Sequence, residues 1–296
     1  MAERRVGFVG LGMIGAPLAT VLQSKGLPLV VYNRKPAKCS TLVRAGAALA
    51  ASPEEVARQA DSGVVFVCVS DYPACRAVMT GRRGLSRAMR RGSVIVNLST
   101  ISPVEARHLA RSVHSKGIGY VDSPIGGSID AAARGEVMFY VGAGSSDLAK
   151  AKKYLSLMSR EILRLGPVGQ GSAMKLVNNF LTISTVAMDA EALSLAEGLG
   201  LPLRTSVDIL LKGGGRSQML INKKDLMISG DYTPRFLLRL ALKDLRLVEA
   251  TARGARRKVT LASAARRLMR EGVAQGRGEE DFSAVFEVVR TRSRSA

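Results

Sequence analysis

The chain has 296 residues, of which 47% are hydrophobic and 23% charged, and its formal net charge is +20. The length is sufficient for two domains, and the hydrophobic content excludes an intrinsically disordered chain. No run approaches about 18 uncharged apolar residues, so we expect no membrane span. Glycines interrupt the apolar N-terminal segment and no signal-peptide cleavage pattern follows it, which favours a cytoplasmic protein.

The basic charge and the few metal-ligand residues limit the possible partners. The positive electrostatic field of such a chain attracts phosphorylated cofactors, carboxylate substrates or nucleic acid. The basic clusters are scattered, however, and aromatic residues make up only 4% of the chain, so we expect no specific nucleic-acid partner. The three cysteines lack CxxC spacing, and His108 and His114 lie on different faces of one predicted helix. We therefore predict neither a disulfide framework nor a metal site.

In the first half of the chain, short β-rich runs alternate with helical stretches. One helical stretch, Val104–Lys116, has a clear start signal, because Ser102 can cap it and Glu105 completes a capping box. This alternation predicts βαβ units and a parallel sheet. The predicted strands are Val6–Val9, Leu29–Tyr32, Val64–Val69, Val94–Leu98 and Gly119–Val121, with a further apolar run at Val137–Val141.

After Pro167 the pattern becomes helical. A long stretch with helical periodicity runs from Ala173 to about Leu199. We predict an α/β Rossmann domain over residues 1–167, followed by an all-α domain over residues 168–296, joined by this long helix. The join between them is the expected place for a small-molecule site. The remaining predicted helices are Arg204–Lys212, Gln218–Met227, Pro234–Arg253, Leu261–Glu271 and Phe282–Arg290.

A glycine motif follows the first strand and precedes a helix. Its glycines permit a tight turn, a close backbone approach to a pyrophosphate and close packing of helix on strand. This context predicts a dinucleotide cofactor, although a glycine-rich turn with a purely structural role would have the same sequence pattern. The motif consists of Gly10, Leu11, Gly12, Met13, Ile14 and Gly15.

The end of the second strand carries the residues that would select the cofactor. An NAD-selective site usually has an acidic residue there to bind the ribose 2′-hydroxyl. Here the chain reads Asn33-Arg34-Lys35, and the Arg34 guanidinium can pair with a 2′-phosphate. We therefore predict NADP, with NAD possible; the alternative is that both cations are solvated turn residues or stack on the adenine. Two later loops, at Val69-Ser70 and at Thr100, should also reach the cofactor, because ligands bind at this sheet edge.

Lys175 is the candidate proton-transfer residue. Hydride transfer to a carbonyl needs a proton donor at the oxygen, and neither histidine is well placed. Lys175 and Asn179 are four residues apart and so share a helix face at the predicted join. A lysine near a buried cleft can have its pKa lowered enough to exchange protons, but most helical lysines are surface residues. Spacing alone leaves both interpretations open.

Four blocks in order give the chain a family resemblance. They are GLGMIGAPLA with NRKPAK, NLSTISP, DSPIGGS, and GQGSAMKLVNN with LKDLRLV later. The chain resembles the β-hydroxyacid dehydrogenase family, which includes 3-hydroxyisobutyrate dehydrogenases, tartronate semialdehyde reductases and glyoxylate or succinic semialdehyde reductases. The blocks cover nearly the whole chain, and their combination is far more specific than any one of them.

The resemblance implies roles for individual residues. Lys175 would be the catalytic acid/base and Asn179 would orient it or the substrate, while Lys243 would close over the cofactor. The Asp122–Ser128 loop would hold the substrate carboxylate through backbone amides. The resemblance also implies a homo-oligomer, dimeric or tetrameric, formed through the helical domain. The implied substrate-side residues are Ser123, Gly126, Gly127, Ser128, Asn178 and Thr182.

One departure from the family pattern leaves the substrate open. The usual loop is D-A-P-V-S-G-G, whereas here the serine has moved two places to Ser128. The chain also resembles sulfolactaldehyde reductase, which has an arginine and a threonine where this chain has Gly127 and Ser128, so a sulfonate substrate is not expected. A small carboxylate-bearing hydroxyacid or semialdehyde is the predicted class. Two alternatives are an imine reductase, which usually replaces the lysine, and a non-catalytic basic relative that binds nucleic acid.

Overall fold

The computed structural model describes residues 4–293. They form two compact units, and the division falls between Lys175 and Leu176. The division falls inside a helix, eight residues after the boundary predicted at residue 167. Within residues 4–293 there is no helix long and apolar enough to cross a membrane, and no cluster of three potential metal ligands.

The first unit is an α/β domain. Its helices are α1 (Gly15–Ser24), α2 (Ser40–Arg44), α3 (Pro53–Gln59), α4 (Tyr72–Thr80), α5 (Pro103–His114), α6 (Ile129–Arg134) and α7 (Ser145–Leu157). Its strands are β1 (Val6–Val9), β2 (Leu29–Tyr32), β3 (Ala48–Leu49), β4 (Val64–Val67), β5 (Val94–Asn97), β6 (Gly119–Asp122), β7 (Ile125–Gly126), β8 (Val137–Gly142) and β9 (Ser159–Gly166).

The described strands form one sheet in the order β3-β2-β1-β4-β5-β6-β8-β7, with β9 paired to β8. The pairs from β3 to β6 are parallel, and β8 runs antiparallel to β6 and β7. The chain moves outward from β1 to β3 and then returns to β4 beside β1. In such a sheet, ligands bind outside the carboxyl ends of the strands where this order reverses. The predicted Rossmann fold is confirmed.

Helices cover both faces of the sheet, which explains the continuous apolar runs. Phe8 and Phe66 are fully buried on one face, with ring centroids 5.8 Å apart, while Val9 and Val65 belong to the core on the other face. Parallel strands buried on both sides read as unbroken Val- and Ile-rich segments. The capping box at the start of α5 is present as predicted.

The second unit is all-helical, as predicted. It contains most of α8 (Gln170–Gly198), then α9 (Leu203–Lys212), α10 (Gln218–Ser229), α11 (Leu238–Gly254), α12 (Thr260–Ala274) and α13 (Val285–Ser293). The prediction that a helix starts at Pro234 is wrong. The backbone N–H groups of Arg235 and Phe236 instead donate to the buried carboxylate of Asp281. Asp281 also pairs with the buried Lys223 ammonium at 2.8 Å, so it neutralises this cation and fixes the turn before α11.

Candidate active site

The glycine motif forms the turn between β1 and α1. Gly10 has a φ of +96°, and a Cβ there would collide with the Cys68 carbonyl oxygen; a Cβ on Gly15 would collide with Gly10 itself. Around Gly12, by contrast, a Cβ would meet no described atom within 4 Å. The outer two glycines therefore build the turn, and the central one leaves open space for a phosphate to approach the backbone. The turn fits a dinucleotide cofactor.

Asn33, at the end of β2, holds this turn in place. Its Oδ1 accepts a hydrogen bond from the Leu11 N–H at 3.0 Å, and its Nδ2 donates to the Lys35 carbonyl at 2.9 Å. Arg34 and Lys35 are exposed, and neither takes part in an ion pair with another described residue. The residues that directly follow β2 in the chain therefore include two exposed cations and no carboxylate.

The loops after β4 and β5 are tied to each other. The Val69 N–H donates to Ser99 Oγ at 2.9 Å, and the Ser70 hydroxyl donates to Asp71, the residue that caps α4. Thr100 is partly buried. In the sequence it follows Ser99 and precedes Ser102, the first residue of the capping box of α5. These loops end β4, which pairs with β1, and β5, which pairs with β4, so the parallel sheet places them at the same edge as the glycine turn.

Asp122, the last residue of β6, anchors the start of α8. Its buried carboxylate accepts hydrogen bonds from the Gly169 N–H (3.0 Å), the Ser172 N–H (2.8 Å) and the Ser172 hydroxyl (2.7 Å). Burial raises the pKa of Asp122 to about 6, although these hydrogen bonds and the nearby Arg107 guanidinium act in the opposite direction. The helix consequently begins at Gln170, three residues before the predicted start.

The first turn of α8 lies directly against the backbone of the sheet. A Cβ on Gly171 would collide with the Tyr140 carbonyl oxygen and would lie 2.8 Å from that of Asp122. Lys175 follows Gly171 by four residues, so helical periodicity places it one turn further along the same face. Lys175 is half-buried. The side chain proposed to transfer the proton thus stands on a helix whose first turn is locked onto the sheet.

The predicted substrate loop is built largely by its own backbone. Gly127 has a φ of +144°, and a Cβ on Gly126 would lie 2.5 Å from the Tyr140 hydroxyl. The Ser128 Oγ accepts from the Ala131 N–H at 3.2 Å and so caps α6. Ser128, the serine that has moved relative to the family pattern, therefore has a local structural role as the cap of α6.

Ser123 is fully buried, and its hydroxyl has no hydrogen-bond partner among the described residues. A buried unpaired hydroxyl costs about 1–3 kcal/mol. We expect Ser123→Ala to raise the free energy of unfolding by about 1 kcal/mol, measured by urea denaturation. Ser99→Ala is the control, because the hydroxyl it removes does have a partner, the Val69 N–H. A stability loss in Ser123→Ala equal to that of the control would contradict this expectation.

The helical unit contributes a polar network of its own. Asn179 is buried, and its Nδ2 donates to Asp244 Oδ2 at 2.6 Å. Asn178 donates to Asn179 Oδ1 at 3.2 Å, and the Thr182 hydroxyl donates to the Asn179 carbonyl at 3.3 Å. Lys243 Nζ lies 2.8 Å from Asp244 Oδ1. Asp244 is therefore the centre of this network.

Sequence reasoning missed Asp244 and named its neighbour Lys243 instead. The signal was present in the periodicity of α11, whose buried face includes Ala241, Leu245 and Val248. Asp244 lies on this apolar face and is 1% exposed. A buried carboxylate needs partners, and here they are an amide and an ammonium group.

Comparisons with known proteins match nearly the whole chain. Residues 5–166 match the NAD binding domain of 6-phosphogluconate dehydrogenase, and residues 169–289 match the NAD-binding domain of NADP-dependent 3-hydroxyisobutyrate dehydrogenase. The chain is 33% identical to 2-(hydroxymethyl)glutarate dehydrogenase of Eubacterium barkeri, over 96% of this chain and 94% of that protein. It is 32% identical to the mitochondrial 3-hydroxyisobutyrate dehydrogenase of Homo sapiens, over 96% and 86%.

A solved structure extends the match to three dimensions. The 3-hydroxyisobutyrate dehydrogenase of Salmonella typhimurium superposes with a TM-score of 0.89 at 30% identity, covering 97% of this chain and all of that one. Imine reductases, such as that of Myxococcus stipitatus at 22% identity, share the fold. Both domain models, the relatives and the glycine turn lead to one conclusion: the chain belongs to the β-hydroxyacid dehydrogenase family of NAD(P)-dependent oxidoreductases.

Proposed function

We propose that this protein interconverts a small hydroxyacid and its aldehyde or semialdehyde, with NADP as the preferred cofactor and Lys175 as the proton donor and acceptor. The proposal rests on the position of Lys175. The lysine is half-buried on α8, one turn beyond the segment that Asp122 and Gly171 hold against the sheet. A cation held at a defined position can protonate a developing alkoxide.

The nicotinamide would supply or accept the hydride, and the protein would manage the proton and the orientation. Lys175 donates its proton to the carbonyl oxygen in reduction and takes it back in oxidation. Asn179, fixed by Asp244, can orient the lysine or the substrate oxygen through its amide. The backbone amides of Gly126, Gly127 and Ser128 can receive the substrate carboxylate.

The preference for NADP rests on the edge beyond β2. Arg34 and Lys35 are exposed there without ion-pair partners among the described residues, and no acidic residue follows the strand. We expect Arg34→Ala to raise KM for NADPH about tenfold or more and to change KM for NADH little, because only NADPH has a 2′-phosphate for a charge-assisted bond.

Initial-rate kinetics with both cofactors test this. The matched control is Arg44→Ala, an exposed arginine at the end of α2. An equal change of KM for NADPH and NADH in Arg34→Ala would contradict the assignment, and so would a wild-type kcat/KM for NADH that equals or exceeds that for NADPH.

The substrate can be identified with a panel. We expect NADPH oxidation with at least one of glyoxylate, succinic semialdehyde, methylmalonate semialdehyde and tartronate semialdehyde. A cyclic imine should not be reduced, since Lys175 stands where imine reductases usually carry another residue. Turnover of the imine alone would favour the imine-reductase alternative, and DNA binding with a steep salt dependence but no turnover would favour the nucleic-acid alternative.

We further propose self-association through α8. Val177, Leu181, Met188 and Leu195 repeat at intervals of four and seven residues along one face of the helix and are 48–67% exposed. An apolar stripe of this kind normally packs against another protein surface. We expect the wild type to be a dimer or tetramer in light scattering and Leu181→Lys/Leu195→Lys to dissociate. Leu261→Lys, at an exposed leucine on α12, is the control. A monomeric wild type would contradict this proposal.

A further inference from the structure

A cavity open to solvent and lined by basic residues lies in the α/β unit, away from the glycine turn. It has a volume of about 580 Å³ and is lined by α5, by the segment between β8 and α7, and by the end of β9. In the sheet order these elements belong to the β6-β8-β9 side, whereas the glycine turn follows β1. The volume is in the range of small-molecule sites.

The cavity is lined by three arginines and one histidine. Arg107, Arg111 and His114 recur at intervals of four and three residues, so they form one face of α5, and Arg164 approaches from β9. None of the three arginines forms an ion pair with another described residue. His114 lies 3.7 Å from Asp147, the only carboxylate among the described residues that pairs with any of these four side chains within ion-pair distance.

Arg107 is solvent-exposed, but its guanidinium also approaches the backbone of the segment before α8. Its Nη1 lies 2.7 Å from the point that a Cβ on Gly169 would occupy, so the guanidinium packs on the backbone of the segment before α8. Gly144 also lines the cavity, and as the N-cap of α7 it offers the helix no capping side chain. Arginines on this face and an uncapped helix start both favour a bound anion.

We propose that this cavity binds a small polyanion, a metabolite with at least two phosphate or carboxylate groups. Two anionic groups are inferred because the cations come from two separate elements, α5 and β9. The size of the cavity and the fork geometry of the guanidinium groups suit a compact ligand of this kind.

Isothermal titration with pyrophosphate, and separately with citrate, tests the proposal on the full chain at saturating NADPH, so that the cofactor site is already occupied. We expect saturable binding of one anion per chain, and the two probes distinguish phosphate from carboxylate chemistry. Arg111→Ala/Arg164→Ala should weaken this binding about tenfold or more. Arg44→Ala/Arg87→Ala removes the same net charge elsewhere and should bind normally.

A second measurement needs no variant. Phenylglyoxal modifies accessible arginines, and pyrophosphate should protect Arg111 and Arg164 from it in mass spectra while leaving Arg44 reactive. The proposal is overturned if neither anion binds at saturating NADPH, if the two double variants lose affinity equally, or if Arg111 and Arg164 stay unprotected. None of these outcomes depends on which hydroxyacid the enzyme uses.

Discussion

Lys175→Ala should lower kcat by about 10²–10⁴-fold, the range of a general acid or base, while leaving NADPH affinity nearly unchanged. The ammonium is the group proposed to protonate the substrate oxygen, and the glycine turn that binds the cofactor lies in a different part of the sheet edge. Stopped-flow measurement of single-turnover NADPH oxidation would check the chemical step, and fluorescence titration of NADPH would check binding.

One control variant and one rescue experiment test this expectation further. Lys212→Ala, at the last residue of α9, is the control for loss of a lysine and should keep full activity. Adding methylammonium to Lys175→Ala should restore part of the lost rate, because a free amine can occupy the vacated volume and deliver a proton. If Lys175→Ala keeps more than about a tenth of the wild-type kcat, its role as the proton donor is refuted.

Asp122→Ala should lower the free energy of unfolding by about 3–5 kcal/mol near neutral pH. The substitution leaves the Gly169 and Ser172 donors buried without their acceptor. Urea denaturation followed by circular dichroism measures the loss. Asp208→Ala, at an exposed position of α9, is the matched control and should change stability little. Equal stabilities of these two variants would show that the Asp122 contacts contribute nothing.

The stability difference between the wild type and Asp122→Ala should depend on pH. Burial raises the pKa of Asp122 from 3.8 to about 6, so on acidification the folded protein takes up this proton before the unfolded chain does. Wild-type stability therefore gains up to about 3 kcal/mol from this group as pH falls through the window between those values. The variant lacks the group, so the difference should widen as pH falls. A difference that narrows would contradict the direction of the shift.

The succession of an α/β part and an all-helical part, and the glycine turn after β1, were readable in the sequence because they depend on local patterns. Apolar runs interrupted by Gly10, Gly12 and Gly15 predict a strand, a turn and a helix within ten residues. The cap at Ser102 and the lack of an acidic residue after β2 are equally local. The structure reproduces the strand, the helix after the turn and the cap, because each depends on neighbours within a few positions.

Only the tertiary structure determined which contacts fix the residues near the proposed catalytic lysine. Asp122 meets Ser172 across 50 residues of sequence, and Asn179 meets Asp244 across 65. The periodicity of α11 marks Asp244 as buried but cannot identify a partner so far away in sequence, and the family resemblance named the neighbouring Lys243 instead. The start of α11 was misplaced for the same reason, since Asp281 binds the two N–H groups before it. Local physics determined which helices and strands form, and long-range burial of a few carboxylates determined where α8 and α11 begin and which polar side chains are fixed on them.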